Sequence, residues 1–214
     1  MRGLALLVCA MSLLAPPLSA GEPAEKLGLN ITLKNGSERE VETKAQLEKI
    51  LEQHDLSPWL FTREVVVDEK TPVPHSHPVL TFNTNYTGRD LLFLSTFVHE
   101  QLHWFVLAHQ EDRDRALAEL EELFPDLPTQ PPDGSSGRFS SYQHVIVCYL
   151  EFTALKELVG EEKAREVIEF WAGHHYRAIY RLVLDHTDKL RAVVEKHNLF
   201  PAAPTPKEKP APAA

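Results

Sequence analysis

Cysteine is almost missing from this sequence: 214 residues contain two, Cys9 and Cys148. Cys9 falls in an N-terminal segment expected to be removed. One thiol then remains, which excludes an intramolecular disulfide. Positive charge is also short. Lysine and arginine number 22 against 31 acids, a formal net charge of −9, so the chain has no electrostatic footprint for nucleic acid. No internal repeat is visible. The longest apolar run without charges, Leu4 to Leu14, is well short of the roughly 20 residues that a membrane span needs.

That run belongs to "MRGLALLVCAMSLLAPPLSA", residues 1–20. Arg2, the apolar stretch, and small Ser19 and Ala20 before Gly21 read as a secretory signal peptide cleaved after Ala20. A lipoprotein signal through Cys9 fits less well, because Val8 stands where Gly or Ala is wanted. The expected location is secreted or periplasmic, with no membrane span in the mature chain. Removing the segment takes away Arg2 and no acid, so the excess of acids grows from 9 to 10. The other end, "PAAPTPKEKPAPAA" (201–214), is rich in Pro, Ala and Lys and reads as disordered. Residues 21–200 are left as a single domain, in a chain that is 43% apolar and 25% charged.

Within the domain, strands come first. Ile31 and Leu33 alternate before Asn35-Gly36, a hairpin signal. Thr43 with Gln46 resembles a capping box opening a short helix. "FTREVVVD" (61–68) and "VLTFNT" (79–84) read as further strands, separated by a proline-rich loop. From Thr87, paired with Asp90 as a second capping box, the period becomes helical through Leu91, Leu94, Val98, Leu102 and Phe105. Helices are expected over about 113–124, 142–159 and 161–197, the last with a break near Asp185. The loop from Pro125 to Ser140 is long enough to expect a functional role. The expected class is α+β, a small N-terminal sheet packed on a helical region.

The first long helix contains "TFVHEQLHWFV" (96–106). Positions i and i+4 share a helix face, so His99 and His103 can aim both imidazoles at one point. Zinc accepts neutral imidazole at about 2.0–2.1 Å in tetrahedral geometry. Glu100, rotated about 100° from His99, would flank such a metal and could take a proton from water beside it. His-Glu-x-x-His resembles the motif of the zinc metallopeptidases called zincins. The resemblance covers these residues and, more loosely, the helix around Glu151. It implies a zinc-dependent hydrolysis of peptide bonds with Glu100 as general base, a peptide or protein substrate, and an edge strand beside the cleft that pairs with extended peptide.

A third ligand is required. His109 falls where the metzincin branch has its third histidine, but Val106 replaces the glycine of that pattern. The gluzincin branch takes a glutamate from a later helix, which points to Glu151, an acid among Val147, Ala154 and Leu158 that needs a partner to be buried. His144 is the competitor, seven residues earlier on the same face, with an alternative role at the cleft rim. The expected ligands are therefore His99, His103 and Glu151, holding Zn2+. An oxyanion donor is sought in "FWAGHHYRAIY", with Tyr176 first and Tyr142 as an alternative. His75 and His77 read as surface residues. The rival reading is a non-catalytic exported protein that binds zinc and serves as an interaction scaffold. Oligomeric state is not legible.

Overall fold

The turn after the first strand decides the architecture. The computed structural model describes Ala24 and residues 27–201; the expected leader (1–20) and all of the expected tail except Pro201 lie outside the described residues. Strand β1 (Asn30–Leu33) leads to Asn35 and Gly36, the latter at φ +66°. The chain does not return as the expected hairpin but enters helix α1 (Glu38–Gln53). The Ser37 hydroxyl accepts the Glu40 N–H at 3.3 Å, and the Glu40 carboxylate accepts the N–H groups of Asn35 and Gly36, both at 2.8 Å. This is a widened form of the capping box, with the glutamate reaching past the cap to the two residues before it. It spends the turn's N–H groups on the helix start and leaves none for a returning strand.

Strand β2 (Glu64–Val67) therefore pairs with β1 in parallel, Asn30 opposite Glu64, with α1 as the crossover. Strand β3 (Leu80–Phe82) adds in parallel to the other side of β2, Val65 opposite Leu80. The small N-terminal sheet is present, but wholly parallel. Helices follow: α2 (Asp90–Ala108), α3 (Gln110–Leu123), α4 (Arg138–Val159), α5 (Glu161–Ala172), α6 (Arg177–Asp185) and α7 (Thr187–Lys196). The break at Asp185 falls where the sequence puts it, and a second lies at Gly173–Tyr176.

Neither expected capping box forms. Thr43 and Gln46 lie inside α1 and reach across to the start of α2. The Thr43 and Thr87 hydroxyls meet at 2.8 Å, Gln46 Nε2 donates to Asp90 at 2.9 Å, and Lys49 Nζ donates to Asp90 at 2.6 Å. Thr87 and Asp90 thus join two helices instead of capping one.

Helix α2 is long and apolar enough to cross a membrane, yet most of it is buried inside the domain. A helix apolar on all sides needs neighbours all round. With about 100° per residue, Phe93 and Phe97 share one face, and they pack on Phe82 of the sheet at 5.1 and 5.9 Å between ring centroids. Ser95, His99 and His103 lie about 200–280° round from Phe93 and meet α4. Thr96 and Glu100 fall between these faces, beside a cleft. Helix α4 is the hub of the helical region, buried almost continuously from Ser141 to Leu155 and touching α2, α3, α5, α6 and α7.

Glu40 gives a stability test. Burial alone would raise its pKa, but the donors of Asn35, Glu69 and Gly36 outweigh it and hold it at about 2, against an ordinary 4.5. A carboxyl depressed by folding stabilises above its unfolded pKa, and that contribution is lost as pH falls through the folded value. Glu40→Gln should lower the melting temperature at pH 7 by about 2–8 °C, equivalent to about 1–2 kcal/mol. The gap to the parent should close between pH 4.5 and 2. A gap independent of pH would contradict this role.

Candidate metal centre

Helices α2 and α4 run antiparallel, and three contacts set their register. Ser95 meets Glu151, His99 meets Glu151 and Cys148, and His103 meets Gln143 and His144. Each turn forward along α2 is matched by a turn backward along α4. The result is that His99, His103 and His144 bring one ring nitrogen each within 4.8 Å of one another.

Hydrogen bonds assign the free nitrogens. His99 Nδ1–H donates to Glu151 Oε2 at 2.9 Å, so Nε2 is the nitrogen that faces the cluster and offers a lone pair when the ring is neutral. His144 Nδ1–H donates to the Ser140 carbonyl at 2.7 Å, again freeing Nε2. Gln143 Nε2 lies 3.4 Å from His103 Nδ1 and donates to it, so this ring lacks the Nδ1–H donation that His99 and His144 make. The Nε2 atoms of His99 and His103 are 3.2 Å apart. Tetrahedral angles around bonds of about 2.0–2.1 Å require about 3.3–3.4 Å between ligand nitrogens. The spacing of the His99 and His103 nitrogens matches that requirement, and His144 lies near enough to complete a set of three that could hold a metal ion.

Glu151 stands behind His99, not beside His103. One oxygen accepts from the Ser95 hydroxyl, and the other accepts from His99 and from the Tyr180 hydroxyl at 3.0 Å. Ser95 in turn accepts the Trp171 indole N–H at 2.8 Å. The expected trio of His99, His103 and Glu151 is therefore not the set the structure gathers. Helix register is the reason: it carries the buried acid one turn past the histidine pair and puts His144 level with His103. A second possible grouping, His99, Cys148 and Glu151, is fully buried and shares His99 with the first. Its carboxylate oxygens are already taken by Ser95 and Tyr180, so the three-histidine set has the freer donors.

The positive charge of the cluster rests on His99. Burial works against charge on His99, but Cys148 and Glu151 outweigh it and hold its pKa well above the ordinary value. Burial and then the His99 charge push His103 well below it and His144 down to about 3. Burial likewise raises the Cys148 thiol and the Glu100 carboxyl. Glu100 accepts no hydrogen bond among the described residues and lines a cleft of about 460 Å³ together with His99 and Tyr176.

Tyr176 takes a left-handed backbone, φ 49°, and its ring lies 4.3 Å from that of His144 and parallel to that of His99 at 6.3 Å. The loop between α3 and α4 holds it there: the Pro132 and Asp133 carbonyls accept the N–H groups of Arg177 and Ala178 at 3.1 and 3.0 Å. Pro131 of that loop lines the cleft, so the loop borders the site. Tyr142 is committed elsewhere, donating to the Phe124 carbonyl at 2.6 Å. His109 donates to the Phe105 carbonyl at 2.8 Å and stays out of the cluster. His77 stacks on Trp104 at 4.3 Å, and its neighbour Ser76 accepts the Trp104 indole N–H at 2.9 Å, so this segment lies against α2. Ser95, Trp171 and Tyr180 carried no motif. Ser95 could have been suspected from its place one turn before His99.

No protein-family model, curated protein or solved structure matches this chain.

The buried carboxylate makes its own demand. Ser95→Ala or Tyr180→Phe removes one donor from Glu151 while leaving the acid in place. Each should cost about 1–3 kcal/mol in urea unfolding of the chelator-treated protein, the usual penalty for an under-satisfied buried group. A change under about 0.3 kcal/mol in both would show that Glu151 does not depend on these donors.

Proposed function

We propose that this protein is an exported zinc-dependent peptidase whose metal is held by His99, His103 and His144. The observation that carries the reading is the convergence of three imidazoles with Nδ1 of His99 and His144 already spent on Glu151 and Ser140. Metal-binding histidines characteristically give their second N–H to a carboxylate or a carbonyl in this way. The bound ion would supply a Lewis acid that lowers the pKa of water and polarises a carbonyl.

The chain's own residues do the rest. Glu100, unpartnered and facing the cleft, takes the proton of the attacking water and delivers it to the leaving nitrogen. Burial raises its pKa, which makes it the stronger base for the first half of that exchange. Glu151 is a positioning residue: it fixes the His99 tautomer and supplies a counter-charge to the site. The Tyr176 hydroxyl is the candidate donor to the developing oxyanion, on the strength of its ring position over His99 and His144. Export rests on residues 1–20 of the sequence.

Zinc content and turnover test the assignment together. The parent should hold one zinc per chain. His103→Ala and His144→Ala should lose it, whereas Glu151→Gln should keep it with affinity weakened about 10–100-fold. Glu100→Gln should retain zinc and lose about 10²–10⁴ in hydrolysis of a quenched peptide library, and Tyr176→Phe should lose up to about 10²–10³. A His144→Ala protein with full zinc beside a zinc-free Glu151→Gln protein would overturn the ligand set. Full zinc in a parent that cleaves nothing would make the non-catalytic scaffold the better reading.

A further inference from the structure

The cleft beside Glu100 is walled by rings. Tyr86, Trp171 and Tyr176 line it together with Pro72, Pro74 and Pro131. Tyr86 meets Trp171 edge to face at 5.4 Å. Neither lysine nor arginine lines the cleft among the described residues, and its two carboxylates have other tasks. Glu151 is saturated by Ser95, His99 and Tyr180, and Glu100 sits next to His99 in the metal-binding motif. Among the described residues the lining thus offers a terminal carboxylate no lysine or arginine, and a terminal amine no uncommitted acid; His175, also in the lining, is pushed down to about 3 by burial.

The strand edge beside the cleft is unusual as well. The edge of β3 is already bridged by the chain itself: His75 N–H donates to the Thr81 carbonyl at 3.0 Å, and Thr81 N–H to the His75 carbonyl at 2.8 Å. The bridging segment carries Pro72 and Pro74, which have no N–H, and its Ser76 carbonyl is taken by Trp104. An extended peptide therefore finds no run of alternating donors and acceptors on which to add as a strand. The edge-strand pairing that the zincin resemblance implies is blocked here.

Resting on the peptidase reading, we propose that the site takes the interior of an uncharged peptide segment and selects it by an aromatic or large apolar side chain inserted among these rings, without strand pairing. Aromatic and proline surfaces give a ring both area and geometry, and a cleft of about 460 Å³ lies in the range of sites that bury most of a small ligand. The Asn85 carboxamide, exposed at the rim and without a partner among the described residues, is placed to meet one peptide group of the bound segment.

Binding to the zinc-loaded Glu100→Gln protein tests this without requiring turnover. Three fluorescent hexapeptides would be compared by anisotropy: one blocked at both ends and centred on Phe-Leu, the same peptide with free ends, and a blocked peptide centred on Lys-Glu. The blocked Phe-Leu peptide should bind at least tenfold tighter than the Lys-Glu peptide and no weaker than its free-ended form. Replacing its central peptide N–H groups by N-methyl should cost less than threefold, because no strand ladder is lost. Equal binding of the two sequences, tighter binding of the free-ended form, or a loss beyond tenfold on N-methylation would overturn the proposal. Cleavage of the Phe-Leu peptide by the parent is read separately. A preference in binding with no cleavage would count against the peptidase reading and leave the side-chain selection standing.

Discussion

The hydrogen bond from His99 to Glu151 is the constraint on which the rest of this structure depends. A carboxylate with no solvent exposure is costly unless its oxygens are paired, and here three donors from two helices converge on it. Ser95 and His99 come from α2 and Tyr180 from α6, while the acid itself belongs to α4. Sliding α2 past α4 by one turn would strand the charge. The requirement that Glu151 be satisfied thus fixes the helix register, and the register is what brings His144 level with His99 and His103.

This explains how a hydrophobic interface can hold polar chemistry. Around the cluster the packing is apolar: Phe93 and Phe97 press α2 on the sheet through Phe82, and Val145, Val147 and Cys148 of α4 are fully or almost fully buried. The sheet therefore sets the rotation of α2, which turns Glu100 toward the cleft and the histidines toward α4. The capping box at Ser37 and Glu40 contributes at a distance. By making β1 and β2 parallel through α1, it brings Gln46 and Lys49 to the start of α2.

Much of this was legible in the sequence where the signal is local. The periodicity from Leu91 to Phe105 marks α2, the i,i+4 spacing of His99 and His103 marks a shared face, and Gly160 marks the end of α4, where it stands at φ +86°. What failed to show was non-local or competed with another local signal. Asn35-Gly36 reads as a hairpin unless Ser37 and Glu40 are seen to cap a helix. Glu151 reads correctly as a buried acid in need of a partner, but nothing in one chain's sequence tells which turn of α2 it faces. The choice between Glu151 and His144 as third partner of the histidine pair is a question of interhelical register, and register appears only when the helices are packed.

X-ray absorption at the zinc K-edge of the purified protein tests the central claim most directly, because the multiple scattering of imidazole rings counts histidine ligands. The account predicts a first shell of nitrogen and oxygen at about 2.0 Å with three imidazoles. A sulfur shell at about 2.3 Å, two imidazoles with a carboxylate, or a protein that retains no zinc would contradict it.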